Sequence, residues 1–278
     1  MRTVSRPDKQ DEQFPPSFEG LAHVIAFLRS PAGCPWDLQQ THASLRSSLI
    51  EECYEVLAAL DSGDTKGLVE ELGDLLLQAV FHCQIARENQ EFEMKEVFQG
   101  IVQKLLRRHP HVFEAQSQLS PSEVEEQWER LKQKEKAGQL PFASVPTAMP
   151  ALAFAQAISQ RAGRSGFDWP NLDGVKEKLR EEFEELEKAT GTEEIEHEIG
   201  DVLFTMVNVA RWHGVDSESA LRKASQRFRT RYTSMQEASS EKGVVFQTLP
   251  RGKKETLWEE AKARLAQQGE GRGVSCPP

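Results

Sequence analysis

Carboxylates occupy the positions at which this sequence could do chemistry. Glu51, Glu52 and Glu55 stand close together, and Glu71 and Asp74 follow three residues apart. On helices, residues at i, i+3 and i, i+4 share a face about one turn apart. If a short turn around residues 61–64 makes two such helices antiparallel neighbours, these acids converge in one small region. Like charges at this spacing destabilise an isolated helix by roughly 0.2–0.5 kcal/mol per pair. Clustered, partly buried acids are less stable still unless a cation or a proton relieves them. The donors are all oxygen, with no histidine or thiolate among them, which suits a hard ion: Mg²⁺, with Mn²⁺ as a possible substitute. Such an ion keeps open positions for water and phosphate oxygens, so the chemistry indicated is phosphoryl transfer to an oriented water.

The pattern occurs twice. Glu181, Glu182 and Glu185 repeat the first acids, and Glu198 with Asp201 repeats the second pair. One Glu-Glu-x-x-Glu stretch is usually a solvated helix face, and one Glu-x-x-Asp carries no more weight. Two copies of the combination, each with Glu-x-x-Asp opening an apolar run that must lie against a core, favour metal binding. Glu194 and His197 form a Glu-x-x-His pair of the kind di-iron bundles use, but the first half has no counterpart. His109 and His111 read as helix-end packing or capping. Basic residues also recur: Lys104, Arg107 and Arg108 in the first half, Lys223, Arg227 and Arg231 in the second. In isolation they would be a solvated face. Beside an acidic metal site they can clamp phosphate oxygens that the ion does not reach. Trp128 with Lys132 is echoed by Trp258 with Lys262. These tryptophans, with Trp36 and Trp169, could stack on a base, although tryptophan is more often core.

The elements that must position these residues are helical, and strand signals are nearly absent. Leu45, Leu49, Cys53, Val56, Leu57 and Leu60 trace one helical face, which Gly63 ends. A second helix is expected over about residues 65–87, with Leu68, Leu72, Leu75, Leu76, Ala79, Val80 and Cys83 on its apolar side. A third carries Val97, Ile101 and Leu105 and stops before His109-Pro110, because the residue preceding proline disfavours the α region. A fourth opens at Ser120-Pro121-Ser122-Glu123, a capping box with proline at N1. Residues 138–150 contain three prolines and read as a linker. The order then restarts: Gly33-Cys34-Pro35-Trp36-Asp37 is echoed by Gly166-Phe167-Asp168-Trp169. Helices follow over about 174–190, 192–212 and 217–239, and a short one carries Trp258. Landmarks in one repeated order indicate an internal duplication. The expected organisation is all-α, with two four-helix modules over residues 18–137 and 151–266, a disordered leader (1–17) and a disordered tail (267–278).

Bulk properties narrow the function. The net charge of −10 argues against direct grip on nucleic acid, which calls for a basic surface, but allows a nucleotide bridged by a divalent cation. No apolar run reaches the roughly 18–20 residues needed to cross a bilayer, and the polar start lacks the apolar stretch of a secretory signal. The expectation is a cytoplasmic protein with no membrane or nucleic-acid partner. Cys34, Cys53, Cys83 and Cys276 form no Cys-x-x-Cys pair, so they read as thiols rather than zinc ligands or disulfides.

GCPWDLQQTHASL, LIEECYEV, VEELGDLLLQAVFH and KLLRRHPHVF in the first half, with GFDW, EEFEE and EIGDVLFTMVNVAR in the second, strongly resemble the MazG family. That family belongs to the all-α nucleoside triphosphate pyrophosphohydrolases, related to dimeric dUTPases and phosphoribosyl-ATP pyrophosphohydrolase. The resemblance covers about residues 18–265. It implies hydrolysis between the α and β phosphates, giving a nucleoside monophosphate and pyrophosphate, and a homodimer whose helices interlock across the subunit interface. It further implies that the second module carries most of the activity. On that reading Glu182, Glu185, Glu198 and Asp201 are Mg²⁺ ligands, and Glu181 is a ligand or the base that positions water. Lys223, Arg227 and Arg231 bind phosphates, and Trp258 with Lys262 closes the nucleotide pocket. The first-module set is Glu51, Glu52, Glu55, Glu71 and Asp74, with Lys104, Arg107 and Arg108 on the phosphate side. Two departures fall in the second module: Ser225 and Arg227 stand where the family often has asparagine and lysine, and Ala157 where it often has lysine. The first module keeps its whole pattern, so either could be catalytic. The expectation is a house-cleaning enzyme of broad base specificity; the alternative is a non-catalytic nucleotide or alarmone sensor using the same metal site.

Overall fold

The computed structural model describes residues 14–114, 118–135 and 142–267, and the regular secondary structure of these residues is entirely helical. Contacts divide the chain into two compact units, residues 1–137 and 138–278.

In the first unit, α1 (Phe18–Leu28) and the short α2 (Pro35–Leu38) precede a hairpin of α3 (Arg46–Ser62) and α4 (Thr65–Glu88). Two residues make the hairpin turn. Gly63 adopts a φ of 70°, a left-handed conformation that penalises a side chain. The N–H groups of Gly63 and Asp64 donate back to the carbonyls of Leu60 (3.3 Å) and Ala59 (3.0 Å), closing α3. The Asp64 carboxylate then accepts from the N–H groups of Lys66 (3.1 Å) and Gly67 (3.0 Å), opening α4. α1 packs across α4, and Ile25 joins Leu45, Val80, Phe81 and Ile85 in the core. The unit continues with α5 (Met94–Arg108), the short α6 (Pro110–Phe113) and α7 (Pro121–Glu135). The capping box forms as expected: Ser120 N–H donates to the Glu123 carboxylate at 2.8 Å.

The loop holding Trp36 is fastened by polar contacts. Arg29, 7% exposed, donates through Nε (3.0 Å) and Nη2 (2.6 Å) to Glu88 at the end of α4, and through Nη1 to the carbonyls of Asp37 (2.6 Å) and Gln40 (3.0 Å). Beside it, the Nδ1 atoms of His42 and His82 lie 2.7 Å apart with the ring planes 2° from parallel, so one N–H donates to the other nitrogen; His42 Nε2 lies 3.2 Å from Glu91.

The second unit repeats this order. α8 (Ala151–Arg164) packs on a hairpin of α9 (Leu172–Lys188) and α10 (Thr192–Trp212), followed by α11 (Ser217–Glu241), a 3₁₀ turn at Phe246–Thr248, and α12 (Arg251–Gln267). Asn171 caps α9 by accepting from Gly174 N–H at 3.0 Å. Buried Gln156 ties α8 to the start of α11, accepting from Ser217 N–H (2.8 Å) and Oγ (2.6 Å) while donating to the Val215 carbonyl (3.1 Å). Met235, Ala238, Phe246, Leu257 and Ala261 form the core between α11 and α12.

Two expectations change. Each unit holds a fifth long helix, α1 or α8, because the α3–α4 and α9–α10 hairpins need an apolar layer on one face. The helix carrying Trp258 is not short but spans 17 residues, since Leu257 and Ala261 bury against α11. Of the expected linker, residues 142–150 are described, and Val145 is buried there in the second unit. The expected leader and tail fall almost wholly outside the described residues, as does Cys276. No described helix is long and apolar enough to cross a membrane.

Replacing Arg29 by Met should lower the unfolding free energy by roughly 2–3 kcal/mol, because Glu88 and two loop carbonyls lose a charged donor. Urea unfolding measures this, and a loss below about 0.5 kcal/mol, the scale of an ordinary surface change, would show that the pair does not hold the loop.

Candidate functional site

The α3–α4 hairpin brings Glu52, Glu55 and Glu71 together, and the α9–α10 hairpin does the same for Glu182, Glu185 and Glu198. In each triad, one carboxylate oxygen per residue lies within 4.8 Å of the other two. These are equivalent positions of the duplicated sequence, so the repeat extends from residue types to geometry. The side chains are not simply solvated: Glu182 is 5% exposed, and Glu52 and Glu71 are partly buried.

Crowding shows in the acidities. Burial, then the charge of Asp74 and contact with Glu55, push the Glu52 carboxyl above its ordinary range, against a hydrogen bond from Gln78. Burial, then the charges of Glu55, Glu70 and Asp74, raise Glu71. Glu185 is raised mainly by burial and by contact with Glu182, and Lys178 opposes this. Oxygen donors held together against their own repulsion fit a hard divalent cation.

The second unit already holds a cation at its triad. Lys178 Nζ lies 2.8 Å from Glu181 and 3.0 Å from Glu182. These two carboxylates, Glu181 foremost, raise the lysine's own pKa, so that it holds its proton more tightly. The ammonium thus supplies a positive charge to one member of the triad, Glu182. The equivalent position in the first unit, four residues ahead of Glu52, is Ser48. Reading the acids alone missed Lys178, although its i, i+3 and i, i+4 spacing to Glu181 and Glu182 was the available signal.

The remaining expected acids lie around the triads rather than in them. Glu51 is exposed on α3, and Glu181 is held by Lys178. Asp74 acts on Glu52 and Glu71 through its charge. Asp201 sits 3.4 Å from His197 Nε2 on its own helix. Glu194 accepts from Thr190 N–H at 2.8 Å at the start of α10, which lowers its pKa. The Glu-x-x-His pair is thus engaged in local helix contacts.

The basic residues assemble differently in the two units. In the first, Glu135 of α7 bridges both arginines of α5. It accepts from Arg107 Nε (2.7 Å) and from Arg108 Nε (3.1 Å) and Nη2 (2.5 Å). These bonds, Arg108's foremost, hold the Glu135 carboxyl at about 2. Arg108 and Lys132 lie over the face of Trp128, at 5.6 and 5.9 Å from the ring centre, and His109 meets its edge. Lys104 is exposed on the same helix as the arginines. In the second unit Arg231 lies 5.6 Å over Trp258, which also packs on Phe228, while Lys262 pairs with Glu259 at 2.7 Å. Lys223 and Arg227 are exposed on α11. Seven residues beyond the tryptophan, where the first unit has Glu135, the second has Leu265.

In a carboxyl-detected NMR titration, Glu135 should show a midpoint near 2, moving toward 4.5 when Arg107 and Arg108 are both changed to Gln. A midpoint that ignores the double change would mean that the arginines do not hold this carboxylate.

Comparison with known proteins places this arrangement. The MazG nucleotide pyrophosphohydrolase domain matches residues 40–113 and 171–235, which include both triads. The nucleoside triphosphate pyrophosphohydrolase/pyrophosphatase MazG of Thermotoga maritima is 45% identical over 247 residues, covering 88% of this chain and 95% of that protein. The nucleoside triphosphate pyrophosphohydrolase of Escherichia coli is 37% identical over 251 residues, covering 87% and 95%. That of Mycobacterium tuberculosis is 40% identical over 168 residues, covering 59% of this chain and 50% of its own length. With the duplicated glutamate triads, these matches make the chain a member of the MazG nucleotide pyrophosphohydrolase family.

Proposed function

We propose that this chain is a Mg²⁺-dependent nucleoside triphosphate pyrophosphohydrolase that accepts several bases, cleaves between the α and β phosphates, and serves as a cytoplasmic house-cleaning enzyme. The names of the Thermotoga and Escherichia relatives support the activity. The single observation that carries the chemistry is the pair of glutamate triads, one per hairpin.

Glu182, Glu185 and Glu198 would hold the ion in the second unit, with Asp201 beside them; Glu52, Glu55, Glu71 and Asp74 are the equivalents in the first. A bound Mg²⁺ supplies charge to offset the pyrophosphate leaving group and orients the attacking water. Glu181 and Glu51, adjacent to the triads, are placed to accept the proton of that water. Lys178, paired with Glu181 and Glu182, would release Glu182 to a bound ion and turn its ammonium to a phosphate oxygen. Arg227, Arg231 and Lys223 of α11, with Trp258 and Lys262 of α12, are the phosphate-side and lid residues of the second unit.

A sensor reading has specific support only in the first unit. There Glu135 occupies Arg107 and Arg108, so that unit is less prepared to take a triphosphate. The proposed homodimer rests on exposed apolar residues along the helices: Leu72 and Leu76 on α4, Val97, Ile101 and Leu105 on α5, and Ile199 and Leu203 on α10. Light scattering should give twice the chain mass, and a monomer at micromolar concentration would remove the dimer from the proposal.

Glu198→Gln and Glu71→Gln, singly and together, test the site through pyrophosphate release from several triphosphates. Loss in the responsible unit should exceed the ~10–100-fold typical of removing an outer-shell partner. Full activity in all three variants would sink the assignment, and orthophosphate as product would mean that the other anhydride bond is cut.

The raised carboxyls give a pH test. Above the ordinary carboxylate range and below the raised values, the folded chain keeps protons that the unfolded chain has lost, so stability falls as pH rises through that window. A metal ion competes for the same oxygens. Added MgCl₂ should therefore raise the melting temperature more at pH 8 than at pH 5; equal shifts would place the ion elsewhere.

A further inference from the structure

Two histidines of the first unit stand apart from the acidic site and are joined to each other. His42 lies in the loop between α2 and α3, and His82 lies on α4. Their Nδ1 atoms are 2.7 Å apart and their ring planes 2° from parallel. Parallel planes cannot be further apart than their nearest atoms, so this gap is too small for ring-on-ring stacking. The rings meet edge to edge, in a hydrogen bond that needs one proton between two nitrogens. The outer partners fix which nitrogen carries it. His42 Nε2 lies 3.2 Å from the Glu91 carboxylate, an acceptor, so that nitrogen bears a proton. A neutral His42 then has a bare Nδ1, and His82 Nδ1–H donates to it. His82 keeps a bare Nε2, which is buried and has no hydrogen-bond partner among the described residues.

A second proton has no good place in this chain of contacts. Placed on His42, it forces the proton of a neutral His82 on to the buried Nε2, a donor with no acceptor. Placed on His82, it puts a charge in the interior and leaves the same N–H unpaired. With both rings charged, two N–H groups face each other and the bond is lost. Burial, then the charge of His42, hold His82 below the ordinary histidine value. The folded chain therefore binds fewer protons here than the unfolded chain. The stabilisation is complete above the ordinary value of about 6.5 and is lost as pH falls below it. Of the surrounding charges, Arg29 of α1 and Glu88 of α4 are bonded to each other at 2.6 Å, and Glu91 is turned to His42. Arg46 of α3, Glu19 and His23 of α1, Arg87 of α4, and Lys95 and Glu96 of α5 are exposed to solvent. Glu52 of the triad meets α4 at Gln78, four residues before His82.

The loop is held at two successive points. Arg29 binds the carbonyls of Asp37 and Gln40, and its charge does not titrate. His42 holds the segment that enters α3, and α3 opens at Leu45 with no side-chain cap, whereas α4, α9 and α11 open on Asp64, Asn171 and Asp216. We propose that the His42–His82 pair is a proton-operated latch on the start of α3, closed by the one shared proton and opened by a second. Because α3 carries Glu51, Glu52 and Glu55, opening loosens the first unit's acids from their N-terminal side. The second unit has no such latch: Val209 stands eleven residues beyond Glu198, as His82 stands eleven beyond Glu71.

The test uses the full chain and two measurements. Nitrogen NMR of the histidines at neutral pH should find the proton on Nε2 in His42 and on Nδ1 in His82. The reverse tautomers overturn the latch. Amide hydrogen exchange, corrected for its intrinsic pH dependence, is then compared at about pH 7.5 and about pH 5.5, either side of the histidine value. Protection over residues 43–50 should fall about tenfold or more at the lower pH, the scale of one lost hydrogen bond, while residues 172–180 of the second unit keep theirs. In His42→Gln the amide oxygen can accept from His82 Nδ1–H without titrating, so protection at the lower pH should stay within about twofold of that at the higher. His82→Leu removes the bond and should show the low protection at both pH values. Acid loss that is absent from the parent, equal in the two units, or undiminished in His42→Gln overturns the proposal.

Discussion

Three carboxylates that repel one another are pressed together on each hairpin, and the rest of each unit is arranged to make that tolerable. The helices cannot supply the stabilisation themselves, because like charges one turn apart weaken them. The stabilisation comes from elsewhere along the same helices. Gly63 and Asp64 close the α3–α4 turn through backbone and side-chain hydrogen bonds, and Val80, Phe81 and Ile85 bury against α1. Glu71 and Ile85 belong to one continuous helix, so packing at one end holds charge at the other. If the triads hold the proposed cation, acids already gathered in this way reduce the ordering that its binding would otherwise require.

The two units relieve the same repulsion differently. In the second, Lys178 places an ammonium against Glu181 and Glu182. In the first, Ser48 stands at that position, and two carboxyls, Glu52 and Glu71, hold their protons more strongly, against Glu185 in the second. On the phosphate side the asymmetry reverses: Glu135 neutralises Arg107 and Arg108 in the first unit, while Leu265 leaves the second without an equivalent carboxylate. Each unit therefore carries one internal counter-charge, at its acidic face in one case and its basic face in the other. On the proposed reading, a metal–nucleotide complex would displace a lysine from the second unit and a glutamate from the first. The lysine can turn to the incoming phosphate and gain a new partner. The glutamate is repelled by it. On that proposed reading, this difference in sign favours the second unit, although its acid pattern is no richer.

What could be read from the sequence is what depends on nearest neighbours along a helix. The turn at Gly63, the capping box at Ser120 and Glu123, and the shared faces of Glu52 with Glu55 and of Glu182 with Glu185 are set by spacings of three and four residues. Which acids complete each triad is less legible. Asp74 and Asp201 sit three residues beyond Glu71 and Glu198, the same spacing that brings Glu55 to Glu52, so spacing alone does not separate them from the triads. The role of Glu135 depends on α7 lying against α5, 27 residues away from Arg108, and no local pattern records that contact. The extent of α12 likewise follows from burial of Leu257 and Ala261 against α11. Lys178 was legible in principle, but a search confined to acids passes over the cation that fits between them.

The same electrostatics bears on the proposed dimer. Leu72 and Leu76 are exposed on the helix that carries Glu71, and Ile199 and Leu203 on the one that carries Glu198. Covering these residues with a second copy would remove water from the neighbourhood of the triads. Lower effective dielectric strengthens repulsion among the carboxylates and strengthens their attraction for a divalent ion. Without the ion, assembly would therefore push Glu52, Glu71 and Glu185 further toward protonation; with it, assembly would tighten the ion's hold. Burial of apolar surface and binding of the cation then favour one another, and the exposed apolar stripe and the crowded acids become two halves of one constraint on the hairpin.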